Sequence, residues 1–208
     1  MGLPPLFPGV LQEETWQEMS DGAALRVLEF RPTTQGHLED PVIVFVPGAI
    51  SPLPLWLEIL EVLTARFSVV YVETREKNST RLPEVRNVDF GMDRMREDLK
   101  EVIAEKVPED RVHCLVGASF GATVILEHLA EGAPSPLATI LIAPNSDFRV
   151  PVWLLIPARL IPVSLFFAVK PVLKWYYGGV LVDVEKEPEQ AARHREMIDS
   201  ADFPRLKS

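Results

Sequence analysis

A chain of 208 residues is long enough for one domain with a substantial core, and nothing in it suggests two. Its 47% hydrophobic and 25% charged residues are those of a globular fold, and a formal net charge of -9 excludes the basic face that nucleic-acid binding needs. A single cysteine, Cys114, excludes an intramolecular disulfide, and four scattered histidines form no metal-ligand pattern, so no metal and no cofactor is expected.

Met1 to Pro8 lacks both a basic region and an uninterrupted apolar run, so it does not read as a signal peptide. With Cys114 read as a core thiol, a reducing, cytoplasmic location is the expectation. Thr15–Met19 and Ala24–Phe30 flank Ser20-Asp21-Gly22, and Asp-Gly between strand-like runs predicts an antiparallel hairpin at one edge of a sheet. Arg31 to Asp40 is a polar loop in which His37 is expected to be inert. Pro41 to Val46 is a continuous β-branched and aromatic run, suited to a central strand covered on both faces, and it ends in Pro47-Gly48-Ala49-Ile50. From Pro52 to Phe67, the spacing of Leu55, Trp56, Ile59, Leu60 and Leu63 predicts a crossover helix with one apolar stripe. A strand follows at Ser68–Val72. The charged stretch Glu73 to Asn87 should be a loop at the sheet's carboxyl edge, with Arg75 and Arg81 solvated or meeting an anionic substrate group. Gly91 to Val107 predicts a second crossover helix that buries Met92, Met95, Leu99, Val102 and Ile103.

Val112 to Val116 reads as a buried strand that runs into Gly117-Ala118-Ser119-Phe120-Gly121 and then the apolar helix Ala122–Ala130. In a Gly-x-Ser-x-Gly turn of this kind the serine is strained and lifted clear of the sheet, and only very small residues fit two before and two after it. Ser119 is therefore the candidate nucleophile, Gly117 and Gly121 are the residues that permit the bend, and the Phe120 amide lies at a helix start that favours negative charge. A further strand, Leu137–Ala143, precedes Pro144 to Phe148. Strand and helix alternate throughout, which predicts an α/β fold: a doubly wound, mostly parallel sheet with an N-terminal antiparallel hairpin.

These residues resemble the α/β-hydrolases, closely over residues 14 to 148 and loosely beyond. The resemblance divides the chain into a partial core, 1–148, an apolar cap or lid, 149–185, and a C-terminal helix and tail, 186–208. It implies a serine hydrolase of the esterase or lipase kind acting on a small-molecule acyl substrate, with the Ala49 and Phe120 amides as the oxyanion hole. Pro47 stands where that family often has histidine. The apolar stretch 150–177 is interrupted by Pro151, Pro157, Arg159 and Pro162, which argues against a membrane span and leaves a greasy cap, a peripheral lipid contact or ordinary core helices. The two further strands that would carry the acid and the histidine are not evident. His128 lies nine residues along the helix from Ser119, about 13 Å away at ~1.5 Å per residue, so base and acid stay unassigned: His194 is a candidate base or a solvated helix residue, and Asp147 a candidate acid or a helix cap. Activity is accordingly expected to be weak or absent. The open alternative is a non-catalytic module that keeps the scaffold and binds a ligand, a membrane or a partner. A dinucleotide-binding domain is excluded, because no Gly-x-Gly-x-x-Gly follows a strand.

Overall fold

A computed structural model describes residues 5–33, 40–49, 51–83 and 88–144, with the single positions 171, 175, 186, 188, 192, 198 and 199. His37, the cap at 149–185, the lipid-contact stretch 150–177 and the tail helix lie outside the described residues, apart from those single positions.

The hairpin forms as its Asp-Gly turn predicts. β1 (Val10–Glu18) pairs antiparallel with β2 (Ala24–Pro32) from Val10↔Pro32 to Glu18↔Ala24, and Gly22 turns the chain at φ 84. β1 begins five residues earlier than expected, because an edge strand with one wet face alternates its residues and shows no apolar run; Leu11 is 64% exposed. β3 (Val42–Val46) is fully buried, and β4 (Val69–Val72) lies beside it. β5 (His113–Ala118) and β6 (Ala138–Ile142) complete a sheet of order β1-β2-β4-β3-β5-β6. The strands from β4 to β6 are parallel to their neighbours, and β2 joins β4 antiparallel.

Both faces of the central strands are covered, which is why their residues need not alternate in polarity. Val42, Val44 and Val46 meet α2 (Met92–Lys106) and α3 (Phe120–Ala130) through Met95, Leu99, Val124 and Ile125. Ile43 and Phe45 face the opposite layer, where Leu60 of α1 (Leu57–Thr64) packs with Leu28, Phe30 and Tyr71. The fold is thus doubly wound.

The first crossover keeps most of the expected stripe and loses Ile59 from it. Leu53–Trp56 forms a 3-10 turn before α1, and the tighter winding rotates the following residues. Leu53, Leu60 and Thr64 are buried and Trp56 and Leu63 pack on the same cluster, whereas Ile59 is 38% exposed. Cys114, expected in the core, is half-buried beside Ala138 at the start of β6. Among the described residues β6 pairs with β5 alone, and Ile140 and Ile142 stand 56% and 42% exposed on one face. No helix among the described residues is long and apolar enough to cross a membrane.

Candidate active site

β5 runs to Ala118, and α3 starts at Phe120, so a single residue makes the bend. Ser119 takes it at φ 49 and ψ -116, a conformation that costs an L-residue about 1 to 3 kcal/mol, and its side chain is exposed. The bend is tethered at both sides. The Ser119 N–H donates to the Ile142 carbonyl at 2.8 Å, extending the β5–β6 ladder, while the Ser119 carbonyl accepts from the Thr123 N–H at 3.1 Å.

The flanking glycines show what the bend requires. A Cβ on Gly117 would lie 2.7 Å from both Ala122 Cα and Ile125 Cδ1. A Cβ on Gly121 would lie 2.2 Å from the Val46 carbonyl oxygen and 2.4 Å from that of Pro47. The first turn of α3 therefore rests directly on the main chain leaving β3. This contact brings the Phe120 and Ala49 segments together, since Gly48 approaches Ser119 so closely that a Cβ there would be 3.4 Å from Ser119 Cβ. Ala49 and Phe120 are half-buried, and among the described residues neither of their N–H groups donates a hydrogen bond. An unpaired amide is ordinary at a helix start, where the first donors have no intrahelical acceptor. The same is not true of a loop amide, and Ala49 is therefore the more telling of the two.

The loop carrying Ala49 is held from beneath. The Gly48 carbonyl accepts from Ser51 Oγ at 2.6 Å and from Lys77 Nζ at 2.8 Å, and Lys77 Nζ also donates to the Ser51 carbonyl at 3.1 Å. Trp56 Nε1 donates to Ser51 Oγ at 3.3 Å, and its ring meets Phe45 edge-on with centroids 5.2 Å apart. Trp56 is thus a core residue. Burial lowers the Lys77 pKa, with Glu76 and Glu73 opposing the shift, and Glu76 Oε1 lies 3.8 Å from Nζ.

The charged loop after β4 corrects the sequence expectation. Arg75 is not solvated: it is fully buried, with Nε and Nη2 donating to the two oxygens of Asp98 at 2.6 Å each. Its Nη1 donates to Asp21 Oδ2 at 2.8 Å and to the Asp89 carbonyl at 2.7 Å. These bonds join the hairpin turn, the loop and α2, and they leave Arg75 no freedom to meet a substrate anion. Arg81 is exposed, but its guanidinium lies 4.0 Å over the Trp16 ring. The missed signal was Asp98, a carboxylate on the Met95, Leu99, Val102 stripe of α2, which cannot be buried without a cation.

The described histidines do not serve Ser119. His113 begins β5, six residues earlier and about 20 Å away at ~3.3 Å per residue, and His128 sits on α3 at about 13 Å by the helical rise. Burial lowers the pKa of both. Asp147 and His194 lie outside the described residues. Among the described residues no group of three His, Cys, Asp or Glu side chains could hold a metal ion.

No protein-family model and no curated protein matches the chain. Solved structures do. A hydrolase from Pseudomonas aeruginosa PA01 superposes with TM-score 0.69 at 22% identity, over 93% of this chain and 69% of that one. A carboxylesterase structure from Nitrososphaera gargenis gives 0.70 at 15% identity, over 93% and 70%. An alpha/beta hydrolase from Novosphingobium aromaticivorans gives 0.53 at 18% identity, over 62% and 43%. The class that sheet order, bend and these likenesses define is the α/β-hydrolase fold.

Proposed function

We propose that this protein is a serine hydrolase acting on an ester or related acyl bond of an apolar small molecule. Ser119 Oγ attacks the carbonyl carbon, the C=O π electrons move onto oxygen, and the resulting oxyanion is received by the Ala49 and Phe120 N–H groups. Collapse of the tetrahedral adduct expels the leaving group and leaves an acyl-Ser119 ester for water to cleave. His194 is the histidine proposed to take the hydroxyl proton, with Asp147 as the acid that orients it. The apolar stretch 150–177 supplies the proposed contact with the acyl chain. The observation that carries the reading is an exposed serine, strained at φ 49, beside two main-chain donors without partners among the described residues. Labelling with a fluorophosphonate probe tests it. Wild type is expected to label and Ser119→Ala not to; equal labelling overturns the assignment.

A second reading draws on the distance of His113 and His128 from Ser119. Here the bend is architecture, and the chain binds a lipid surface through 150–177. Flotation with phosphatidylcholine and phosphatidylglycerol vesicles, together with labelling no greater than that of Ser119→Ala, would favour this reading.

A further inference from the structure

We infer that Lys77, assisted by Ser51, is a positioning residue that aims the Ala49 N–H at the oxyanion of the proposed reaction, an inference that rests on the hydrolase reading above. In a planar trans peptide the C=O of one residue and the N–H of the next point in opposite directions, so fixing one fixes the other. The Gly48 carbonyl is fixed by two side-chain donors, Ser51 Oγ at 2.6 Å and Lys77 Nζ at 2.8 Å, both in buried residues, and more weakly by the Ser51 N–H at 3.4 Å. The Ala49 N–H is consequently turned away from Lys77 and Ser51. Gly48 itself offers no side chain to resist a flip of this peptide, and it lies against Ser119. Without the two side-chain anchors this peptide would be held by the long 3.4 Å bond from the Ser51 N–H alone.

Lys77 is a costly anchor. A lysine only 8% exposed gives up most of its hydration, and Glu76 Oε1, at 3.8 Å, is beyond hydrogen-bonding distance. Two of its three N–H donors go to main-chain carbonyls of one short loop, Gly48 and Ser51. An apolar side chain would fill the same space at less cost in desolvation. What it could not do is hold that carbonyl, nor place a positive charge behind it. The charge matters for chemistry as well as geometry. A cation on the Gly48 oxygen draws electron density along the peptide and makes the Ala49 N–H a stronger donor.

The test uses the full chain and four variants, Lys77→Met, Lys77→Arg, Ser51→Ala and Ser119→Ala. The readouts are the second-order rate of Ser119 phosphonylation by a fluorophosphonate, kcat and KM for p-nitrophenyl butyrate, and the Ala49 amide resonance. Losing an oxyanion donor outright costs ~10² to 10³ in rate, so an unaimed donor in Lys77→Met should cost about 10- to 100-fold in phosphonylation and kcat. KM should change by less than about 3-fold, because the ground-state carbonyl gains little from the donor. Lys77→Arg, which keeps the charge and the donors, should recover part of the loss. Wild-type rates in Lys77→Met, with Ser119→Ala unreactive, overturn the positioning role and leave the hydrolase reading intact. If wild type reacts no faster than Ser119→Ala, the hydrolase reading falls, and the amide spectrum decides. A shifted or broadened Ala49 resonance in Lys77→Met then supports the anchoring, and an unchanged one overturns it. Should Lys77→Met fail to melt cooperatively, Ser51→Ala takes its place, with a smaller loss expected from one of two donors and no loss counting against the idea.

Discussion

Two regions of this molecule are held in place by opposite means. At the carboxyl edge of the sheet, the bend at Ser119 is set by main-chain atoms in direct contact, with Gly121 against the Val46 and Pro47 carbonyls and Gly117 against Ala122. Beneath the loop after β4, position is set by full charges, with Arg75 shared between Asp98 and Asp21 and Arg94 bonded to Asp98 and Glu101. The first arrangement tolerates no added atom, since a peptide oxygen cannot yield as a flexible side chain can. The second has little tolerance for a lost charge, because Arg75 and Arg94 share Asp98 and removing either leaves a buried carboxylate with one cation in place of two. The site sits on the first and is steadied by the second, through Lys77 in the same loop as Arg75.

The sharpest way to break the comparison is to add one carbon at the edge. In Gly121→Ala the new Cβ would stand 2.2 Å from a main-chain oxygen, so α3 must back away from β3. The expected loss exceeds ~4 kcal/mol, beyond the ordinary range for a point substitution, and Ser119 labelling should vanish with it. Urea melts and the probe together report this; a stable, fully labelled variant would mean that the close contact is not what builds the bend.

Next in size is removal of the buried cation. Arg75→Met leaves Asp98 with Arg94 as its remaining cation and takes the ion pair from the partly exposed Asp21, and should cost ~2 to 3 kcal/mol, a large share of an ordinary domain's stability. The double variant Arg75→Met with Asp98→Leu should regain part of it, as an apolar pair removes the half-paired carboxylate while Arg94 keeps Glu101. Equal melting of the single and double variants would show that the bond to Asp98 is not what holds the loop.

Acid should act on the charged region in the same sense and more gently. Burial alone would raise the Asp21, Glu29 and Glu101 carboxyls, but Arg75, Lys106 with Arg31, and Arg94 respectively outweigh it, so all three titrate below their ordinary values of 3.8, 4.5 and 4.5. Since the unfolded chain binds these protons first, the stability they contribute is complete above those ordinary values. It is lost as the pH falls through the lower folded ones. Asp98 opposes this, since burial raises its carboxyl despite Arg75 and Arg94. The urea midpoint should therefore drop between about pH 5 and about pH 3 by less than the three lowered carboxyls alone would give, and Arg94→Met should flatten the drop. A midpoint that stays level over that interval would remove the carboxylates from the account.

The same contrast decides what could be read from the residues alone. β3 and β5 were legible because covered parallel strands show as continuous apolar runs, and the bend was legible because its sterics demand glycine at two places. The first half of β1 was not, since Val10 to Glu14 carries no run, and Ile59 falls outside the α1 stripe after a 3-10 turn that periodicity at 3.6 does not anticipate. Arg75 was mistaken for a solvated residue because loop charges usually are, although Asp98 within an apolar stripe asked for a cation. Lys77 gave no signal at all. Its partners are the carbonyls of Gly48 and Ser51, and main-chain oxygens look alike in every sequence.

The smallest effect is the one that would separate architecture from chemistry at the bend itself. Ser119 sits at φ 49, where glycine is at ease and serine is not. Ser119→Gly should therefore gain about 1 kcal/mol of stability while ending all reaction with the probe, and Ser119→Ala, which keeps the strain, should end reaction without the gain. A protein that retains a strained serine on an exposed turn is giving up stability that a glycine at the same place would restore. If Ser119→Gly melts no higher than Ser119→Ala, the strain is not there to be relieved, and the bend offers no evidence that its hydroxyl is kept for use.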